Sequence, residues 1–172
     1  MRRTAAALEP HGIEVVRFNF DYRSRGSRRP DPMPKLRERY AAVVEQVRPQ
    51  AAGRLLIIGG RSMGGRVATM LAADGFACDA LLLFAYPLHP PGQPEKLRDA
   101  HLPRIRVPVL CFNGTRDTLC RRDLMEQALQ SVTAPWRMHW VEGADHSLKG
   151  KKAMAEIAAA VADWLPTLQR AA

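Results

Sequence analysis

Apolar residues come in short runs, and stretches with helical spacing separate most of them. The runs "IEVVRFNF" (Ile13 to Phe20), "LLII" (Leu55 to Ile58), "ALLLF" (Ala80 to Phe84), "VPVLCF" (Val107 to Phe112) and "WRMHWV" (Trp136 to Val141) each predict a strand. Between them, Lys35 to Arg48 puts Leu36, Tyr40, Val43, Val44 and Val47 on one side of a helix, with Pro49 just past its end. Met63 to Ala73, Arg121 to Ser131 and Lys151 to Leu165 predict three more helices, the last stopped by Pro166. Residues Arg2 to Leu8 read as the end of a helix, with Gly12 as its stop signal. Strands alternate with helices, and the strands are mostly apolar rather than alternating. That pattern predicts one α/β domain over residues 1–172, with a mainly parallel sheet and helices on both faces.

One junction carries more than packing. In "LLIIGGRSMGGRVATMLAADG" (Leu55 to Gly75) an apolar strand gives way to a helix through Gly60-Arg61-Ser62-Met63-Gly64, which fits G-x-S-x-G. A serine at the tip of such a turn is held in a strained backbone, its hydroxyl pushed past the sheet edge. Gly60 and Gly64, two before and two after it, allow strand and helix to approach closely. The free N–H groups of the helix start, beginning with Met63, would face negative charge forming on a substrate. A phosphate-binding loop would need Lys-Ser/Thr after its last glycine, and Gly65 is followed by Arg66-Val67. A dinucleotide loop would need a glycine where Ser62 stands. The plain alternative is a packing turn with an incidental serine.

A serine hydroxyl needs a base, and the base needs an orienting acid. In α/β sheets such groups sit beyond the carboxyl ends of strands. After "VPVLCF" comes Asn113-Gly114-Thr115-Arg116-Asp117, and after "WRMHWV" comes Glu142-Gly143-Ala144-Asp145-His146. Ser62, Asp117 and His146 thus follow three strands in the order Ser, Asp, His, the order of the hydrolases. Asp117 has a competing reading as a helix cap, and His146 as a surface histidine. Asp145 adjoins His146, but neighbouring side chains usually diverge, so Asp117 is the preferred orienter. Arg61, beside the serine, is a candidate contact for an anionic substrate, or one half of a surface ion pair.

Composition narrows the remaining classes. No run of about 18 apolar residues appears, so no membrane span is expected, and the N-terminus is too short and broken for a signal peptide. Cys78, Cys111 and Cys120 are odd in number and lack C-x-x-C spacing, as free thiols of a reducing cytoplasm would be. No His/Cys cluster has metal spacing, and serine chemistry needs no cofactor. The net charge is +9, much of it in "RFNFDYRSRGSRRPDP" from Arg17. That loop has no aromatic residue after Tyr22 to stack on bases and no recognition-helix pattern, which argues against nucleic acid as a partner. The segment from Tyr86 to Arg104, where a lid often inserts, is short and holds five prolines, which predicts an open site for short acyl chains.

The stretches "GGRSMGGRVA", "YPLHPPGQPEKLRDAHLPRIRVP", "NGTRD" and "EGADHSLK" resemble the small α/β-hydrolase-like family allied to dienelactone hydrolase. The same domain occurs in a subunit of the nonspecific-lethal histone acetyltransferase complex. The resemblance covers nearly the whole chain. It implies the α/β-hydrolase fold, general hydrolase chemistry with no particular natural substrate, and Ser62, Asp117 and His146 as a triad; the expected activity is that of an esterase or thioesterase acting on a small acyl substrate. It further implies an oxyanion hole made by the Met63 N–H and by an N–H from a His-Gly loop. In the family that loop follows a strand that precedes the first helix seen here and lies between the strands at Ile13–Phe20 and Leu55–Ile58. Here Met1 falls within the helix, and His11-Gly12 ends a helix instead of opening one. Either the two flanking strands close up or the sheet has a gap; the expectation is a gap, from a late start or an N-terminally truncated product. Two other readings remain beside the hydrolase: a non-catalytic scaffold of the same fold, and a nucleic-acid surface on the arginine loop.

Overall fold

A computed structural model describes residues 1–168. The last four positions of the expected domain, 169–172, lie outside the described residues. In chain order the main elements are α1 (Arg2–Leu8), α2 (Asp21–Ser24), α3 (Met33–Val47), β1 (Ile57–Arg61), α4 (Met63–Ala73), β2 (Ala80–Phe84), β3 (Val109–Gly114), α5 (Arg122–Leu129), β4 (Trp136–Val141) and α6 (Lys151–Trp164). The four strands form one wholly parallel sheet in the order β1-β2-β3-β4.

The strand residues divide by parity between two cores. Leu81, Leu83, Val109 and Cys111 join a core with Leu36, Tyr40, Val67, Leu71 and Met125, which come from α3, α4 and α5. Ala80, Phe84, Leu110 and Phe112 face the other way, onto Leu8, Ile157, Val161 and Trp164 from α1 and α6. Both faces of β2 and β3 are therefore covered, so their sequences read as unbroken apolar runs. All six residues of β3 are buried. β1 extends past its apolar run, through Gly59 and Gly60 to Arg61, because Gly59 must lie flat against β2. A Cβ there would stand 1.9 Å from the Leu82 carbonyl oxygen.

The expected strand at Ile13–Phe20 does not form. Its side chains still alternate: Ile13 and Val15 pack toward the core of α1 and α6, and Phe18 and Phe20 toward that of α3. Its backbone pairs with no strand. The side chains keep the strand period, but a ladder needs a neighbour, and a groove of about 890 Å³ separates this segment from β1. The flanking segments have not closed up. Leu56 and Ser62 exchange backbone hydrogen bonds with the β2 side. Ile57, Gly59 and Arg61 therefore turn their backbone groups to the open side, since parallel strands alternate. The Tyr40 hydroxyl fills one position of that ladder: it donates to the Gly59 carbonyl and accepts from the Gly59 N–H at 2.8 Å.

The expected loop after Phe20 begins instead with the single turn α2, and its charges are partly paired, Arg25 with Asp31 and Arg39 with Asp21. The proline-rich segment from Tyr86 to Arg104 is anchored in the core near both ends. Tyr86, Leu88 and Leu102 are fully buried, and the His89 N–H bonds the Leu119 carbonyl. Among the described residues no helix is long and apolar enough to cross a membrane.

Candidate active site

Ser62 is the single residue between β1 and α4, and it adopts φ 52°, ψ −117°. A non-glycine residue at positive φ is strained, and such strain persists only where the surroundings impose it. Here the Ser62 N–H is bonded to the Phe84 carbonyl and its own carbonyl accepts the Arg66 N–H, so strand and helix clamp it from both sides. Gly60 (φ 151°) is needed, because a Cβ would press to 3.2 Å on Gly64. Gly64 itself faces open space; the tight helix position is Gly65, whose Cβ would come within 2.8 Å of the Gly60 carbonyl oxygen. The Met63 N–H heads α4, where the first donors have no intrahelical acceptor.

β3 ends at Gly114, and three residues on lies Asp117, its side chain wholly buried. It caps no helix, since α5 starts after Arg121. It accepts instead from the Leu119 N–H at 2.9 Å and from the Asn113 side-chain amide at 3.3 Å. His146 follows β4, and its Nδ1 lies 2.8 and 3.0 Å from the two Asp117 carboxylate oxygens. A carboxylate only accepts, so it fixes the hydrogen on Nδ1 and leaves Nε2 as an acceptor. Nε2 stands 2.9 Å from Ser62 Oγ. The structure thus brings Ser62, His146 and Asp117 into one hydrogen-bonded chain. Asp145 turns away from the imidazole: it accepts from the Ser147 hydroxyl and from the Ser147 N–H at 2.7 Å. Those two bonds, with Lys149 and Arg61 adding, hold its carboxyl below the usual range.

The other buried histidines have their own partners. His89 is wedged between the Pro90 carbonyl and the Arg121 N–H. His101 meets Thr69 Oγ1 at 2.9 Å, and burial, aided by Arg66 and Arg104, pushes its pKa down to about 4. Burial likewise pushes the Cys78 thiol up to about 11 and raises Cys111 and Cys120 further. Among the described residues no group of three His, Cys, Asp or Glu side chains could hold a metal ion.

Two features escaped the sequence reading. Asn113 is fully buried, and besides Asp117 it holds both the Tyr86 N–H (3.1 Å) and the Tyr86 carbonyl (3.2 Å). Its place four residues before Asp117 is the signal that was available. Arg61, expected to meet an anionic substrate or an acidic surface partner, donates from Nη2 to the His146 backbone carbonyl at 2.8 Å. Ser62, Met63 and His146 line the upper end of the groove beside β1.

The fold agrees with the comparisons to known proteins. The model of an alpha/beta hydrolase domain matches residues 1–164, so the chain belongs to the alpha/beta-hydrolase family. It is similar to an alpha-beta serine hydrolase homologue from Coxiella burnetii (TM-score 0.76, 21% identity, 95% of this chain and 74% of that one). It is also similar to an a/b serine hydrolase without lid from Xanthomonas campestris (TM-score 0.73, 24% identity, 96% and 73%). A third similar structure is dienelactone hydrolase from Anabaena variabilis (TM-score 0.70, 20% identity, 98% and 79%). At these identities the likeness establishes the fold.

Proposed function

We propose that this chain is a serine hydrolase that cleaves esters or thioesters of small acyl groups. The observation that carries this reading is the unbroken chain from Asp117 through His146 to a strained Ser62 at a helix start. In the proposed reaction Ser62 Oγ attacks the acyl carbonyl carbon while His146 Nε2 takes the hydroxyl proton. The oxyanion so formed accepts from the Met63 N–H. Asp117 orients the imidazole and offsets the charge it gains. The bond to the leaving group breaks as His146 returns the proton to the departing oxygen or sulfur. Water then loses a proton to Nε2 and attacks the acyl-enzyme, and Ser62 leaves with that proton.

The small-acyl preference rests on the short segment from Tyr86 to Arg104, the usual place of a lid in this fold, which is anchored in the core by Tyr86, Leu88 and Leu102. The Xanthomonas relative is likewise described as being without a lid. The test is labelling with a fluorophosphonate probe, followed by turnover of p-nitrophenyl esters of rising chain length. Labelling at Ser62, its loss in Ser62→Ala, and faster turnover of acetate than of long-chain esters are expected. An unlabelled native protein would leave the fold as a scaffold and overturn the reading.

A further inference from the structure

We infer that Arg61 is a positioning residue that tethers the His146 loop to the serine turn, an inference that rests on the function proposed above. Ser62 follows β1 and His146 follows β4, the two edge strands of the sheet. With strands about 4.8 Å apart, the chain after β4 must carry the imidazole back over roughly 14 Å of sheet, across the tops of β2 and β3, to meet the serine. Asp117, placed after β3, fixes only the Nδ1 side of the ring. The segment that carries the ring is flanked by Gly143 (φ 69°) and Gly150 (φ 125°); its internal bonds join Asp145 to Ser147 and Leu148, its Ala144 carbonyl accepts from the Arg116 N–H, and Leu148 is buried. None of those bonds ties it to β1.

Arg61 does. It is the last residue of β1, directly before Ser62, and its guanidinium donates to the His146 carbonyl across a separation of 85 residues. Among the described residues it forms no ion pair within 4.0 Å; the carbonyl is the acceptor it uses. The neighbouring Asp145 carboxylate adds attraction without direct contact. Serine and histidine are thus referred to one rigid point, the end of β1. Arg61 is hydrogen-bonded to the His146 backbone and not to the Ser62 hydroxyl or the imidazole, so its effect on the chemistry passes through the placement of His146. A misplacement of about 1 Å in such a pair can cost on the order of 10²-fold in rate.

The test compares native protein with Arg61→Met and Arg61→Lys on neutral p-nitrophenyl acetate and on anionic p-nitrophenyl hemisuccinate, alongside amide hydrogen exchange of residues 145–148. In Arg61→Met, kcat is expected to fall about 10-fold or more on both esters, with KM within twofold. Exchange over 145–148 should speed up while the thermal midpoint stays within a few degrees. Arg61→Lys should regain part of both, since an ammonium can still donate to the carbonyl. A loss confined to the KM of the anionic ester would make Arg61 a substrate contact and overturn the inference. So would unchanged exchange in Arg61→Met. If the native protein takes up no fluorophosphonate, the hydrolase reading fails, and the exchange comparison still decides whether Arg61 holds the loop.

Discussion

The side-chain amide of Asn113 donates to Asp117 Oδ2 at 3.3 Å while the same side chain holds Tyr86 by both backbone groups. One buried amide therefore ties the exit of β2 to the acid that orients His146. Replacing it by Leu keeps much of the volume but strands the buried Tyr86 N–H, while the Tyr86 carbonyl keeps the Leu88 N–H at 3.1 Å. Each orphaned buried group costs about 1–3 kcal/mol. Asn113→Leu should lower the thermal midpoint by several degrees and reduce kcat more than KM. A variant with native stability and turnover would show that Asp117 needs no support from β3.

Asp117→Asn tests the acid itself. An amide facing His146 Nδ1 favours the tautomer with Nε2 protonated, which cannot accept the Ser62 proton. The loss of kcat should approach about 10⁴-fold, with a far-ultraviolet spectrum like that of the native protein. A loss below about tenfold would move the orienting role away from Asp117.

Gly64 and Gly65 separate what the motif names from what the backbone requires. The motif marks Gly64, yet a Cβ there meets nothing within 4 Å, while at Gly65 it would meet the Gly60 carbonyl at 2.8 Å. Gly64→Ala should be neutral or stabilising by up to about 1 kcal/mol, since alanine favours the helix. Gly65→Ala should push α4 off β1, destabilise by about 1–3 kcal/mol and slow probe labelling of Ser62. Thermal midpoints of the two variants check the contrast.

That contrast reflects how much of this protein is legible in its residues. The four paired strands stand out because β2 and β3 are buried on both faces, and the candidate site because each member follows a strand end. Element ends differ by a few residues: the apolar run begins at Val107, yet β3 begins at Val109, because Pro108 has no N–H to give to a ladder. Asn113, and the acceptor of Arg61, are not legible in the sequence because they depend on Tyr86 and His146, distant along the chain. Ile13–Phe20 failed for a different reason. Its period is that of a strand, and its side chains obey it, but pairing is a property of two segments.

His101 sets a pH dependence of stability. Burial first, then Arg66 and Arg104, lower its pKa to about 4 against the opposing carboxylates of Asp74 and Asp99. In the unfolded chain it would titrate near 6.5. Between those values the unfolded chain binds the extra proton, so stability falls as pH drops from 6.5 to 4 and is fully present above 6.5. The whole effect is worth roughly 3 kcal/mol. Denaturant unfolding at pH 7 and at pH 4.5 should show the gap between native protein and His101→Gln narrowing by about 2 kcal/mol. A gap that stays constant would mean that His101 charges as freely in the fold as out of it.

The groove beside β1 makes the most demanding prediction. Its far wall, residues 13–20, presents strand-like side chains without a ladder, and its near wall is the open edge of β1, where Tyr40 already bonds both backbone groups of Gly59. Ile57 and Val15 border the gap, and Val16 is left 53% exposed. A parallel strand of about five or six residues would suit such a slot. Each apolar side chain it buried would contribute about 1.5–3 kcal/mol before the cost of ordering it. Met1 and Ser62 both border the groove, so a loop leading from the new strand into α1 would run close to the serine. That loop could present a second oxyanion N–H, a donor worth about 10²–10³ in rate. Extending the chain before Met1 by an apolar strand and a His-Gly loop should therefore raise both the thermal midpoint and the turnover of p-nitrophenyl acetate. A strand with a proline-rich loop should raise the first and not the second, because proline offers no N–H. Equal midpoints in all three proteins would show that the slot between residues 13–20 and β1 does not take a strand.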